Sequence, residues 1–181
     1  MASQADAFLI QARSDFRVFE LLWAQDLNTY PECHALQHLQ MATEKMSKAM
    51  LLTLDPEREL MSHVAFREVV PILNRPDIAR RLGYNQNPKA FRDLIDRRRS
   101  WFRSIEQLSP SVGTNPHGGG SEGPNVEYPW QARDIHTRVI WYAPAEYNFD
   151  VSKDMRSRDG QQFLLVIRQL LERLPEIIQP A

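Results

Sequence analysis

Apolar residues recur at helical spacing along most of this 181-residue chain. Phe8, Ala12, Phe16, Phe19 and Trp23 stand three and four apart, one buried stripe of a helix from near Gln4 to near Gln25. Asn28-Thr29-Tyr30-Pro31 breaks it, and Pro31 suits the first turn of the next helix, where a missing N–H costs nothing. In that second helix Ala35, Leu36, Leu39, Ala42, Thr43, Met46, Ala49 and Met50 form a near-heptad seam. Small and flexible side chains there permit close helix contact. Gln40, Glu44 and Lys48 run beside the seam as a polar i, i+4 column.

Asp55-Pro56 ends the second helix, because proline removes a donor and biases the preceding residue away from helical angles. Ser62 is an N-cap for a third helix carrying Val64, Phe66, Val69, Val70 and Ile72, disturbed at Pro71 and over by Pro76. A short helix over Asp77–Leu82 follows, with Gly83 as its C-cap. Phe91, Leu94, Ile95, Trp101, Phe102, Ile105 and Leu108 then predict one long amphipathic helix from about Pro88 to Leu108.

The character changes at Ser109. Five of seven glycines and five of 12 prolines fall between Ser109 and Pro144, and Gly118-Gly119-Gly120-Ser121 is flexible-linker chemistry. Residues 109–150 therefore read as a loop insertion, in which Thr137, Val139, Ile140 and Trp141 form a short strand or an extended cover on the helices. A last helix, about Gln161 to Ile178, carries Phe163, Leu164, Ile167, Leu170, Leu171, Leu174 and Ile178 on one face. The expected fold is all-α: one domain over 1–181, an up-and-down bundle of four to five helices with the insertion before its final helix.

Composition excludes more than it assigns. At 43% hydrophobic and 25% charged the chain can build a packed core. No apolar run is long enough to span a membrane, and the N-terminal residues lack the basic region and apolar stretch of a secretory signal. A single cysteine, Cys33, forms no internal disulfide and no four-cysteine zinc site, which points to a reducing, cytoplasmic location. No cofactor is implied.

Charge is uneven. Residues 67–103 hold 10 bases against 4 acids, +6, although the whole chain is −1. Eighteen of its 22 bases are arginine, whose planar fork suits phosphate and carboxylate. This segment, with Arg75, Arg80, Arg81, Arg92, Arg97, Arg98, Arg99 and Arg103, reads either as a phosphate-binding patch or as a solvated face with salt bridges to acidic neighbours.

Other features carry less. His34 and His38 share a helix face, but no carboxylate or thiol completes a metal site, so no metal is assigned. Gly118-Gly119-Gly120 lacks the preceding strand and following Gly-Lys-Ser/Thr of a phosphate loop. The aromatics Tyr128, Trp130, Trp141, Tyr142 and Tyr147 either stack bases or, the better reading, anchor the insertion on the helices. Arg58 and His63 have the chemistry of metal-free RNA cleavage, with His63 moving protons and Arg58 stabilising phosphate charge. Their spacing by itself is of a kind that arises by chance in an arginine-rich chain.

The run Gln40-Met41-Ala42-Thr43-Glu44-Lys45-Met46-Ser47-Lys48-Ala49, followed by a loop and Ser62-His63, resembles the second-helix signature of HEPN domains (higher eukaryotes and prokaryotes nucleotide-binding). Arg13 and Asp15 are similar to the polar pair near the middle of that family's first helix. The resemblance covers residues 5–75. It implies a helical bundle that commonly forms homodimers. In one class it is an accessory to a nucleotidyltransferase or another partner protein. In another it is a ribonuclease of toxin–antitoxin and defence systems, with an Arg-x4–6-His motif shared between protomers. The expected site is then a non-catalytic surface for nucleotide, RNA or a partner such as an antitoxin, made by Gln40, Glu44, Lys45 and Lys48 pointing outward, with Arg97 and Arg98. The alternative is a dimeric endoribonuclease using Arg58 and His63. Glu59, directly after Arg58, and Ala65, two places after His63, depart from the ribonuclease pattern.

Overall fold

A computed structural model describes residues 3–25, 29–60, 65–109, 124–127, 129–133 and 139–178. Its described residues are almost all helical or connect helices, as the apolar spacing predicts. Helix α1, Gln4–Trp23, opens on a capping box: the Ser3 hydroxyl accepts from Asp6 N–H while the Asp6 carboxylate accepts from Ser3 N–H at 2.9 Å. That backbone donor holds the Asp6 carboxyl below its ordinary value. Helix α2, Glu32–Leu54, lies antiparallel to α1: Asp15 meets Lys45, while Phe8, earlier in α1, meets Lys48, later in α2. Every residue of the predicted α2 seam is buried.

Between α2 and the last helix the chain folds in short pieces. Helices α3, Ala65–Glu68, and α4, Val70–Leu73, replace the single third helix. The disturbance expected at Pro71 is there, since Pro71 has no N–H to donate back and the chain turns at Val69. Helix α5, Pro76–Arg81, ends as expected at Gly83. With φ +92°, Gly83 lets its own N–H reach the Arg80 carbonyl and the Tyr84 N–H reach that of Ala79, the paired bonds of a Schellman motif. The long helix predicted over 88–108 is two: α6, Pro88–Arg97, and α7, Arg99–Glu106, parted at Arg98, whose φ is −107°. Asn87 caps α6 by accepting from Ala90 N–H.

Of the segment read as an insertion, the described parts hold an antiparallel hairpin, β1 (Trp130–Arg133) with β2 (Val139–Tyr142), pairing Trp130 with Tyr142. Thr137 and Tyr128 lie outside the described residues, as do Gly118-Gly119-Gly120. Trp130 is buried against Tyr142, Tyr147 and Phe149, and joins the helical core with Val126 and Phe149. Anchoring is therefore what Trp130 and Tyr147 do; Trp141, 64% exposed, does not share it.

A helix not expected, α8 (Asp150–Arg156), precedes α9 (Arg158–Ile178). Ser157 joins them, its hydroxyl accepting from Gly160 N–H at 3.0 Å. The two helices approach so closely that a Cβ on Gly160 would sit 2.1 Å from the Asp154 carbonyl oxygen, so glycine is required there. The apolar face predicted for α9 is buried throughout. Pro175, inside α9, cannot bond the Leu171 carbonyl. Arg13 supplies the missing donor from α1, its Nε donating to that oxygen at 2.7 Å and Nη2 to the Glu172 carbonyl at 2.9 Å. Arg81 likewise donates to the Ile177 carbonyl at the end of α9. Among the described residues no helix is long and apolar enough to cross a membrane.

Candidate functional site

The α2 polar column forms as its spacing requires, but it does not project outward. Gln40 is buried and donates to Glu44 at 2.9 Å, and Lys48 donates to the other Glu44 oxygen at 2.6 Å. The Glu44 and Lys48 side chains are only 12% and 13% exposed, and Lys48 also lies over the Phe8 ring. Lys45 turns to α1, its Nζ 2.5 Å from the buried Asp15 carboxylate, which also accepts from Gln11. The expectation of an outward Glu-Lys surface is thus corrected. The packing of α1 along α2 brings Lys45 to Asp15, helix spacing brings Lys48 to Glu44, and partly buried ions pair rather than wait for a ligand.

His38 sits at the edge of this cluster, its Nδ1 buried, without a hydrogen bond among the described residues and 4.0 Å from Asp15. Burial lowers its pKa against the attraction of Asp15, while Lys45 and His34 push the same way as burial. His34 is exposed, and among the described residues no group of three or more His, Cys, Asp or Glu side chains stands ready to hold a metal ion. Cys33 is buried, and burial raises its thiol pKa, the opposite of what a nucleophile needs.

The remaining candidates separate. Arg58 donates to Glu68 of α3 at 2.6 Å, an exposed pair. Its sequence partner His63 lies outside the described residues. Arg98 bonds Asp159 and covers the Trp101 ring at 4.7 Å, so it ties α7 to α9. Arg97 is exposed.

Within the basic segment the structure sorts arginines that look alike in sequence. Arg75 pairs with Asp77, Arg81 caps α9 and Arg98 is anchored. Arg92, Arg99 and Arg103 are exposed, and among the described residues none has an acidic partner. Phe91, Ile95, Phe102 and Ile105 are buried on either side of the break at Arg98; Arg99 and Arg103, one turn apart, share the exposed side of α7, and Arg92 is exposed on α6. Arg99 and Arg103 line a concavity of about 510 Å3 with Ser100, Arg67, Val70 and Pro71.

Beneath it lies a residue the sequence did not single out. Glu106, 2% exposed, accepts from the Arg67 backbone N–H at 2.7 Å, and its other oxygen is 2.5 Å from Arg67 Nε. Burial raises its carboxyl pKa despite the opposing Arg67 contacts. The only advance signal was an acid at a position one turn past the buried Phe102, on the core side of α7. Comparison with family models, curated proteins and solved structures returned no match to this chain.

Proposed function

We propose that this chain is a HEPN-like helical module that binds the phosphates of RNA or of a nucleotide without cleaving them. The observation that carries this reading is the convergence of Arg99 and Arg103 beside Arg67, with Arg92 exposed on the preceding helix and no carboxylate to neutralise Arg92, Arg99 or Arg103 among the described residues. Arginines left unpaired on the surface concentrate positive potential, and each phosphate they neutralise releases counterions. The Gln40–Lys48 run supports the family reading as a structural signature, with Lys45 bonding Asp15 of α1 and Gln40, Glu44 and Lys48 bonding one another along α2 rather than facing ligand. Homodimerisation and service to a nucleotidyltransferase or toxin–antitoxin partner belong to the same proposal. The cleavage alternative would use Arg58, here paired with Glu68, and His63.

The test is binding of single-stranded RNA by the full chain in EDTA across a salt series. Affinity should fall steeply with salt, and Arg92→Glu/Arg99→Glu/Arg103→Glu should both weaken binding and flatten the slope by about three. A chain that binds neither RNA nor a nucleoside monophosphate at low salt would refute the proposal. Cleavage in EDTA that His63→Ala abolishes would replace it with the ribonuclease reading.

A further inference from the structure

The concavity between α3–α4 and α7 differs from the rest of the basic face in three ways. Arginines from two separate elements converge on it, Arg67 from one side and Arg99 and Arg103 from the other. Its floor includes Val70 and Pro71, an apolar surface suited to the face of a base or ribose. One of its arginines is held by Glu106, which is nearly sealed from solvent and whose Oε2, close to Arg67 Nε, has no aligned donor among the described residues.

Charge decides what such a site prefers. Arg67 is already balanced by Glu106, so Arg99 and Arg103 supply about two uncompensated positive charges. A phosphodiester brings one negative charge, whereas a phosphomonoester brings about 1.5 to 2 at pH 7 and a third terminal oxygen. Planar guanidinium groups from two directions can serve all three oxygens. Glu106 occupies the backbone N–H and faces Nε of Arg67, so the outer guanidinium nitrogens, on a side chain 45% exposed, remain for a ligand.

We infer that this concavity takes the terminal phosphomonoester of an RNA chain or of a free nucleotide, with Glu106 as the residue that positions Arg67. The inference rests on the phosphate-binding function proposed above and narrows it from backbone to chain end.

The experiment uses the full chain and a short, internally labelled single-stranded RNA made with a 5′-phosphate, a 3′-phosphate or two hydroxyl ends. One phosphorylated form should bind about tenfold tighter than the hydroxyl form at about pH 7, and the preference should fade by about pH 5, below the phosphate's second ionisation near pH 6. Arg99→Gln and Arg103→Gln should each remove most of that preference. Glu106→Gln should reduce the preference while hydroxyl-ended RNA still binds, a change in selectivity that a merely structural role would not produce. If Glu106→Gln unfolds the chain, Arg67→Gln, at an exposed side chain, asks the same question. Displacement by a nucleoside monophosphate would indicate a free nucleotide as ligand, and displacement only by phosphorylated RNA a chain end; either supports the inference. Equal affinity for phosphate and hydroxyl ends overturns it while leaving RNA binding intact. Failure of every RNA and of the nucleoside monophosphate to bind at low salt removes both.

Discussion

Two polar regions of this molecule have similar ingredients and opposite fates. Along the α1–α2–α9 junctions, Asp15 meets Lys45, Glu44 meets Gln40 and Lys48, and Arg13 meets the carbonyl that Pro175 leaves open. On the outer side of α6–α7, Arg92, Arg99 and Arg103 meet no acid among the described residues. A charged side chain between packed helices is a liability until it is paired, so the first set is consumed in pairing, across helices at Asp15–Lys45 and Arg13 and along α2 at Glu44. A charged side chain in water costs nothing to leave alone, so the second set is free to bind something else. The family-like signature on α2 thus marks a joint, and the candidate binding surface lies elsewhere.

The comparison breaks most visibly at Asp15. Asp15→Ala strands Lys45 at the α1–α2 junction and should cost about 3 kcal/mol, the low end for a broken buried pair because Lys45 is 23% exposed and can turn toward water. Urea denaturation measures it. Adding Lys45→Met should recover most of the loss; a double variant as unstable as the single would mean that Asp15 matters for packing and not for charge.

Next comes Arg13. Arg13→Gln should destabilise by about 2 kcal/mol by leaving the Leu171 carbonyl unsatisfied. In a Pro175→Ala background that carbonyl regains a donor within its own helix, so the same substitution should cost clearly less. Equal costs in both backgrounds would show that Arg13 acts only through its own packing.

His38 offers a pH test of the same junction. Its folded pKa lies below the ordinary 6.5, so the unfolded chain binds the proton more tightly. Stability is full above about pH 6.5 and declines as pH falls from there toward the folded value, where both states become protonated. His38→Gln should flatten thermal unfolding temperature against pH in this window. A parallel profile for the variant would assign the decline to other groups.

The smallest effect sharpens the other side of the comparison. Arg99→Gln and Arg103→Gln, exposed and without acidic partners among the described residues, should each change stability by less than about 0.5 kcal/mol while weakening RNA binding. A large stability loss would place these arginines with the structural set.

Much of the architecture was legible. The α1 stripe, the α2 seam and the α9 face are all packed inward, because a period of 3.6 in apolar residues leaves a helix one way to hide them. Gly83 announced its turn, since few other residues accept that backbone angle. The break at Arg98 was not legible: the apolar phase runs through it undisturbed, and no proline or glycine marks it. Helix α8 was hidden by its length, too short for a periodic pattern to emerge.

Sequence alone, then, determined that the chain is helical, which faces of its long helices turn inward, and that one segment is rich in arginine, for these are properties of local spacing and composition. Whether a given charge is mortar or surface was decided only by tertiary structure. Gln40, Glu44 and Lys48 look solvent-facing until α1 lies against them, and Glu106 looks ordinary until the start of α3 settles on it. The reason is physical: pairing and desolvation depend on neighbours brought from tens of residues away, and no local pattern records which neighbours will arrive.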